Sequence, residues 1–120
     1  MSNILIVDDS RTSRRILRGI IEEAGHTVVD EAVNGLDGYE KYSQLKPDLV
    51  TMDITMPVMD GVDALKKIMA EFPDAKVVMV TAAGQKHNMI EAVQSGAADF
   101  LAKPFDVEQI RTTINKILGV

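Results

Sequence analysis

The sequence predicts an α/β fold in which helices cover both faces of a parallel sheet. Three observations carry that prediction. Short apolar runs alternate with helical periodicity along the whole 120-residue chain. The runs are continuously apolar, as strands buried on both faces are. Four of them end in residues suited to phosphoryl chemistry. Ile4–Val7 ends in Asp8 and Asp9, Asp48–Met52 in Asp53, Val77–Val80 in Thr81, and Phe100–Ala102 in Lys103 and Pro104. If the runs lie parallel in one sheet, these endings share one edge.

Residues 3–8 form the first expected strand. Ser10 is placed to cap a helix with the stripe Ile16, Leu17, Ile20, Ile21 and Ala24, and Gly25 stops it. Thr27, Val28 and Val29 give a short strand. Asn34-Gly35 signals a turn, and Leu36, Tyr39, Tyr42 and Leu45 mark a second helix closed by Pro47. Residues 48–53 form the next strand. Met56-Pro57 breaks the chain, and Gly61 begins a helix with the stripe Val62, Leu65, Ile68 and Met69, followed by Pro73. Residues 76–80 form a strand. A helix over about Gln85 to Ser95, closed by Gly96, has the thinner stripe Met89, Ile90 and Val93. Residues 98–102 form the last strand, and Val107, Ile110, Ile114, Ile117 and Leu118 mark the last helix. This alternation implies right-handed crossovers. Such sheets bind ligands at the carboxyl ends of their strands, where the strand order reverses.

Composition bounds the class. The length suits a single domain over residues 1–120, and 46% hydrophobic residues suffice for a core. Cysteine is absent, which rules out disulfides and thiolate chemistry. A net charge of −5 with 4% aromatic residues argues against a nucleic-acid-binding face. No stretch reaches the roughly 20 apolar residues of a membrane span, and no leader is evident, so the expectation is a cytoplasmic protein.

Asp8, Asp9 and Asp53 would place three carboxylates within a few ångströms. Two unit charges about 4 Å apart repel by roughly 4 kcal/mol at an effective dielectric near 20, so the cluster calls for a cation. Oxygen ligands without His or Cys select a hard ion, Mg²⁺ or Mn²⁺. Asp53, alone at the end of a central strand, is the better nucleophile candidate. Lys103 supplies a point charge for phosphoryl oxygens and Thr81 a hydroxyl donor. Charge-assisted bonds of this kind contribute about 1.5–3 kcal/mol each. The Lys103-Pro104 bond is a candidate for the cis form.

The stretches Ile6–Ser10, Met52–Gly61, Val80–Ala82 and Lys103–Phe105, in this order and spacing, closely resemble the receiver domain of two-component response regulators. The resemblance covers residues 3 to 118. It implies a flavodoxin-like, doubly wound, five-stranded parallel sheet of order 2-1-3-4-5 with five helices. It implies that Asp53 accepts phosphate from a histidine kinase. Asp9 and Asp53 would ligate Mg²⁺ directly, Asp8 mainly through water, and Thr55 through its backbone carbonyl. Lys103 would bridge to the phosphoryl group, Thr81 would bind it and move, and Phe100 would be the aromatic switch. Thr55 and Ala83 fall where the family tunes water access. The chain most resembles stand-alone regulators of chemotaxis, with no effector domain, which implies a monomer signalling by protein–protein binding. The target could be a flagellar motor switch, reached through the last two helices and the strand between them. A relay intermediate passing phosphate to a histidine phosphotransfer protein is the alternative.

Other uses of such a fold fit less well. A flavin carrier needs a loop of backbone donors after the first strand, and two carboxylates stand there instead. A dehalogenase-type phosphatase needs an acid two residues after its nucleophile, where this chain has Thr55. Asp60 and Asp63 read as charges at a helix N-terminus. Arg11, Arg14, Arg15 and Arg18 read as a solvated face, with a docking strip for an acidic partner as the rival. His26 and His87 read as surface residues, and Tyr39 and Tyr42 as half-buried packing groups. Most of the methionines read as core filler, with Met56, Met59 and Met89 as the candidates for exposure.

Overall fold

The computed structural model describes residues 2–120. Its elements are β1 (Asn3–Val7), α1 (Arg11–Glu23), β2 (Thr27–Ala32), α2 (Gly35–Leu45), β3 (Leu49–Asp53), α3 (Gly61–Glu71), β4 (Val77–Thr81), α4 (Lys86–Gln94), β5 (Asp99–Ala102) and α5 (Val107–Leu118). The five strands pair in parallel in the order β2-β1-β3-β4-β5, as expected. The order reverses at β1 and β3, which are direct neighbours with Val7 opposite Met52.

Strand alternation divides the core into two layers. Ile4, Ile6, Leu49, Val78, Val80 and Leu101 face Leu17 and Ile21 of α1 and Ile110 and Ile114 of α5. Leu5, Val7, Val50, Met52, Val77 and Met79 face Tyr42 of α2, Val62, Leu65 and Ile68 of α3, and Ala92 of α4. Burying each large side chain contributes about 1.5–3 kcal/mol relative to leaving it exposed. Four helices start on a side-chain cap. Ser10, Asn34, Asp60 and Asp106 accept from the backbone N–H of Ser13, Asp37, Asp63 and Gln109. Asp60 and Asp63 thus sit at a helix start, as their sequence context suggests.

The structure corrects several expectations. Ile16 of the α1 stripe and Val107 of the α5 stripe are exposed, and Tyr42 is buried rather than half-buried. His26 is buried, and its Nε2 lies 2.8 Å from Asn115 Oδ1 of α5. The turn after α1 folds back under the last helix, a long-range contact that leaves no periodic trace. Ile90 and Val93 of α4 point to solvent, and the small Ala92 makes the buried contact. Leu36 and Leu45 of α2 are exposed, while Gly35, Gly38 and Tyr42 are buried. A Cβ on Gly38 would meet the Val7 side chain at 2.8 Å, so this helix seats on its glycines. Met56 is buried, because the loop after β3 folds inward. Among the described residues, no helix is long and apolar enough to cross a membrane.

Candidate functional site

The carboxyl ends of β1, β3, β4 and β5 meet in one crevice. Asp8 extends the β1 ladder by one bond, from its N–H to Ala32 O at 3.0 Å. The chain then turns, and Asp8 Oδ1 accepts from Ser10 N–H at 2.8 Å. The Arg14 guanidinium holds this turn by donating to Asp8 O at 2.8 Å. Asp53 is the last residue of β3 and is buried. Asp9 is exposed at the mouth. Each of the three carboxylates offers an oxygen, and these oxygens lie within 4.8 Å of one another.

Lys103 enters from the far side. Its Nζ is 3.0 Å from Asp8 Oδ2 and 3.6 Å from Asp53 Oδ1. The ammonium faces Asp8 Oδ2 as a charge without hydrogen-bond alignment, so this buried oxygen accepts no hydrogen bond. Lys103 N–H donates to Thr81 O at 2.7 Å, which ties β5 to β4 beyond the last paired residues. The following Lys103–Pro104 bond is cis. Thr81 ends β4 and is buried. Phe100 is half-buried on β5, packed on the layer that holds α2, α3 and α4. Thr55 is exposed on the loop after β3.

Electrostatics single out Asp53. Burial, then the neighbouring Asp8 carboxylate, push its pKa up from 3.8 to about 6. Asp9 pushes the same way, while Lys103 and the backbone N–H of Ile54 pull it down. One ammonium therefore does not balance the cluster. A hard divalent cation fits the arrangement: three convergent carboxylates, one carrying a buried oxygen without a donor, and no nitrogen or sulfur ligand among them.

The loop between β3 and α3 is held by backbone packing. Gly61 N–H donates to Ile54 O at 2.7 Å, and a Cβ at Gly61 would lie 1.9 Å from Asp53 O. Gly35 N–H donates to Met59 O at 2.8 Å, with equally little room for a side chain. Val58, at the loop tip, is exposed and has φ +69°, a strained value for a β-branched residue.

The arginines of α1 split into two kinds. Arg14 and Arg18 grip the two oxygens of Glu31 at 2.8 and 2.7 Å. Burial would raise the Glu31 pKa, but the bonds from Arg18 and Arg14 outweigh it and hold it low. Arg11 and Arg15 are exposed. The solvated-face reading therefore describes half of the set.

The structure brings Asp8, Asp9, Asp53 and Lys103 together at ion-pair range, with Thr81 on the adjoining strand end. Thr55 and Phe100 lie one step away, on the neighbouring loop and strand. Sequence reasoning missed Gln85. Its side chain accepts from Ala82 N–H at 2.6 Å and donates to Thr55 Oγ1 at 2.8 Å, linking the loops after β4 and β3. A polar residue ahead of a helix carries no signal for such a bridge.

Residues 4–115 match the response regulator receiver domain. The chain is 49% identical over 114 residues to the chemotaxis protein CheY of Thermotoga maritima, covering 95% of each. It is 48% identical over 116 residues to the chemotaxis protein CheY of Bacillus subtilis, covering 97% of each. Among solved structures it is similar to the complex of CheX and CheY with beryllofluoride and magnesium from Borrelia burgdorferi. The identity there is 34% and the TM-score 0.91, over 96% of this chain and 87% of that one. From strand order to crevice, the chain belongs to the response regulator receiver domain family.

Proposed function

We propose that this chain is a single-domain chemotaxis response regulator that takes a phosphoryl group onto Asp53 from the phosphohistidine of a histidine kinase. The observation that carries the reading is the placement of Asp53. It is the buried end of a central strand, within ion-pair reach of Lys103 and beside two further carboxylates. Near-full-length likeness to chemotaxis CheY proteins supports the biological setting.

In this reading Asp9 and Asp53 would hold Mg²⁺ through carboxylate oxygens, Asp8 mainly through water, and Thr55 through its backbone carbonyl. The ion, when bound, offsets charge on the phosphoryl oxygens. An Asp53 Oδ attacks phosphorus in line, a P–O bond forms, and the P–N bond to the donor imidazole breaks. The imidazole leaves with the electron pair, and it leaves neutral because its other nitrogen carries a proton. Lys103 transfers its attraction from Asp8 and Asp53 to a phosphoryl oxygen, and Thr81 donates its hydroxyl to another. Moving Thr81 makes room beside β5 for Phe100 to turn inward. That shifts an existing equilibrium at the face formed by α4, β5 and α5. α4 exposes Ile90 and Val93, which suit a protein partner such as a flagellar motor switch. The chain is a phosphoacceptor in signalling, and its only catalysis is its own phosphorylation and slow dephosphorylation.

Acetyl phosphate with Mg²⁺ should add one phosphoryl mass to the intact protein and none to Asp53→Asn. An undiminished gain in Asp53→Asn would refute the assignment.

A further inference from the structure

The parallel ladder between β3 and β4 stops one rung short of the crevice. Ile54 N–H donates to Val80 O at 3.3 Å, so the next bond of a parallel pair would run from Ala82 N–H to Ile54 O. That bond is absent, because Ile54 O instead accepts from Gly61 N–H at 2.7 Å. The two chains diverge there, and Ala82 N–H is left to find another acceptor. It finds the Gln85 side chain. Gln85 Oε1 accepts from Ala82 N–H at 2.6 Å, and Gln85 Nε2 donates to Thr55 Oγ1 at 2.8 Å. One side-chain amide stands in for the missing rung and ties the loop after Thr81 to the loop after Asp53.

The surroundings of Gln85 make this tether matter. Gln85 occupies the N-cap position of α4 but makes no side-chain cap bond to its own helix. Gly84 beside it has φ +86° and open space around its Cα, so the segment can pivot. Of the α4 residues, Ala92 is the buried one. The amide therefore fastens the α4 N-terminus to the two loops at the sheet edge, beside the packing of Met89 against the core.

We propose that Gln85 is a positioning residue that latches the loop after β4 in the unphosphorylated form. This rests on the phosphoacceptor reading of Asp53. Thr81 cannot approach a group on Asp53 without drawing Ala82 with it, and Ala82 is held by Gln85. Part of the interaction with the phosphoryl group is then spent on opening the latch. The apparent affinity for a phosphoryl mimic rises with the fraction of molecules already open.

Three forms of the full chain test this: wild type, Gln85→Met and Gln85→Glu. Met keeps the length of Gln and removes both bonds. Glu still accepts from Ala82 N–H and can accept from the Thr55 hydroxyl in place of donating to it. Amide hydrogen exchange reads the tether, and titration with beryllofluoride at fixed Mg²⁺ reads its consequence. In Gln85→Met the Ala82 amide should exchange about fivefold faster and half-saturation should fall about fivefold, the range expected for loss of exposed hydrogen bonds. Gln85→Glu should restore the exchange protection. Unchanged Ala82 exchange, or unchanged half-saturation, in Gln85→Met would overturn the latch. Phosphorylation by acetyl phosphate, followed by intact mass in the same samples, tests the underlying reading separately. If wild type gains no phosphoryl mass, that reading fails whatever the exchange data show.

Discussion

α3 and α4 flank the same crevice, and the sheet holds them very differently. α3 buries Gly61, Val62, Ala64, Leu65 and Ile68, is capped by Asp60, and has Gly61 pressed against the backbone of Asp53. α4 buries Ala92, lacks a side-chain cap and turns Ile90 and Val93 outward. Asp53 ends the strand that leads into α3, and Thr81, proposed to report its phosphorylation, ends the strand that leads into α4. A receiver needs both properties at once. The acceptor has to keep its geometry while the readout surface changes, and the chain separates the two tasks between adjacent helices.

Substitutions at glycine should show the contrast most strongly. Gly61→Ala forces a Cβ toward the Asp53 carbonyl, and the backbone cannot yield. A loss of about 3 kcal/mol in chemical denaturation is expected, with phosphoryl uptake reduced as Asp53 shifts. Gly84→Ala meets open space and bears only the strain of its φ of +86°, about 1 kcal/mol. Equal losses at the two positions would erase the distinction.

The next effect is electrostatic and confined to the rigid side. In the fold without metal, Asp53 keeps its proton up to a pH near 6, against 3.8 for the ordinary group. The folded state therefore holds that proton more tightly than the unfolded chain does. The contribution of Asp53 to stability falls as pH rises from about 4 to about 6 and is then level. Asp53→Asn removes this loss. In EDTA its advantage over wild type should be near zero at pH 4. At pH 7 it should reach about 1–2 kcal/mol, allowing for solvent screening at the open crevice. Urea midpoints at the two pH values measure it, and a pH-independent difference would remove carboxylate repulsion as the cause.

The smallest effect belongs to the loose side. Val93→Ala deletes an exposed group and should change stability by less than about 0.5 kcal/mol. A loss above 1 kcal/mol would mean that α4 is packed as firmly as α3.

These contrasts also explain what could be read from sequence. The helices, most of the strands and the positions of Asp8, Asp9, Asp53, Thr81 and Lys103 were legible because apolar runs mark those strands and each of these residues stands at the end of one. β2, in contrast, runs on through the charged Asp30 and Glu31 to Ala32, three residues past its apolar stretch. The strand order came from the family resemblance, since apolar periodicity does not say which strands are neighbours. The orientation of α4 was not legible, because a three-residue stripe does not distinguish a buried face from an exposed one. His26 and Gln85 escaped for a related reason. Their roles depend on Asn115 and Thr55, 89 and 30 residues away, and no local pattern encodes such pairs. Gly35 and Gly61 read as turn and start signals, whereas the structure uses them for close backbone approach.

The position of Lys103 between Asp8 and Asp53 has a consequence for which ions the crevice can accept. With the three carboxylates ionised, one ammonium leaves two negative charges in a pocket whose oxygens span less than 5 Å. A divalent ion would bring that pocket to neutrality, a monovalent ion would leave it negative and a trivalent ion would leave it positive. Valence is thus selected by charge balance before coordination geometry enters. The lysine sets that balance, and withdrawing it toward a new anion would leave the carboxylates holding the cation more tightly.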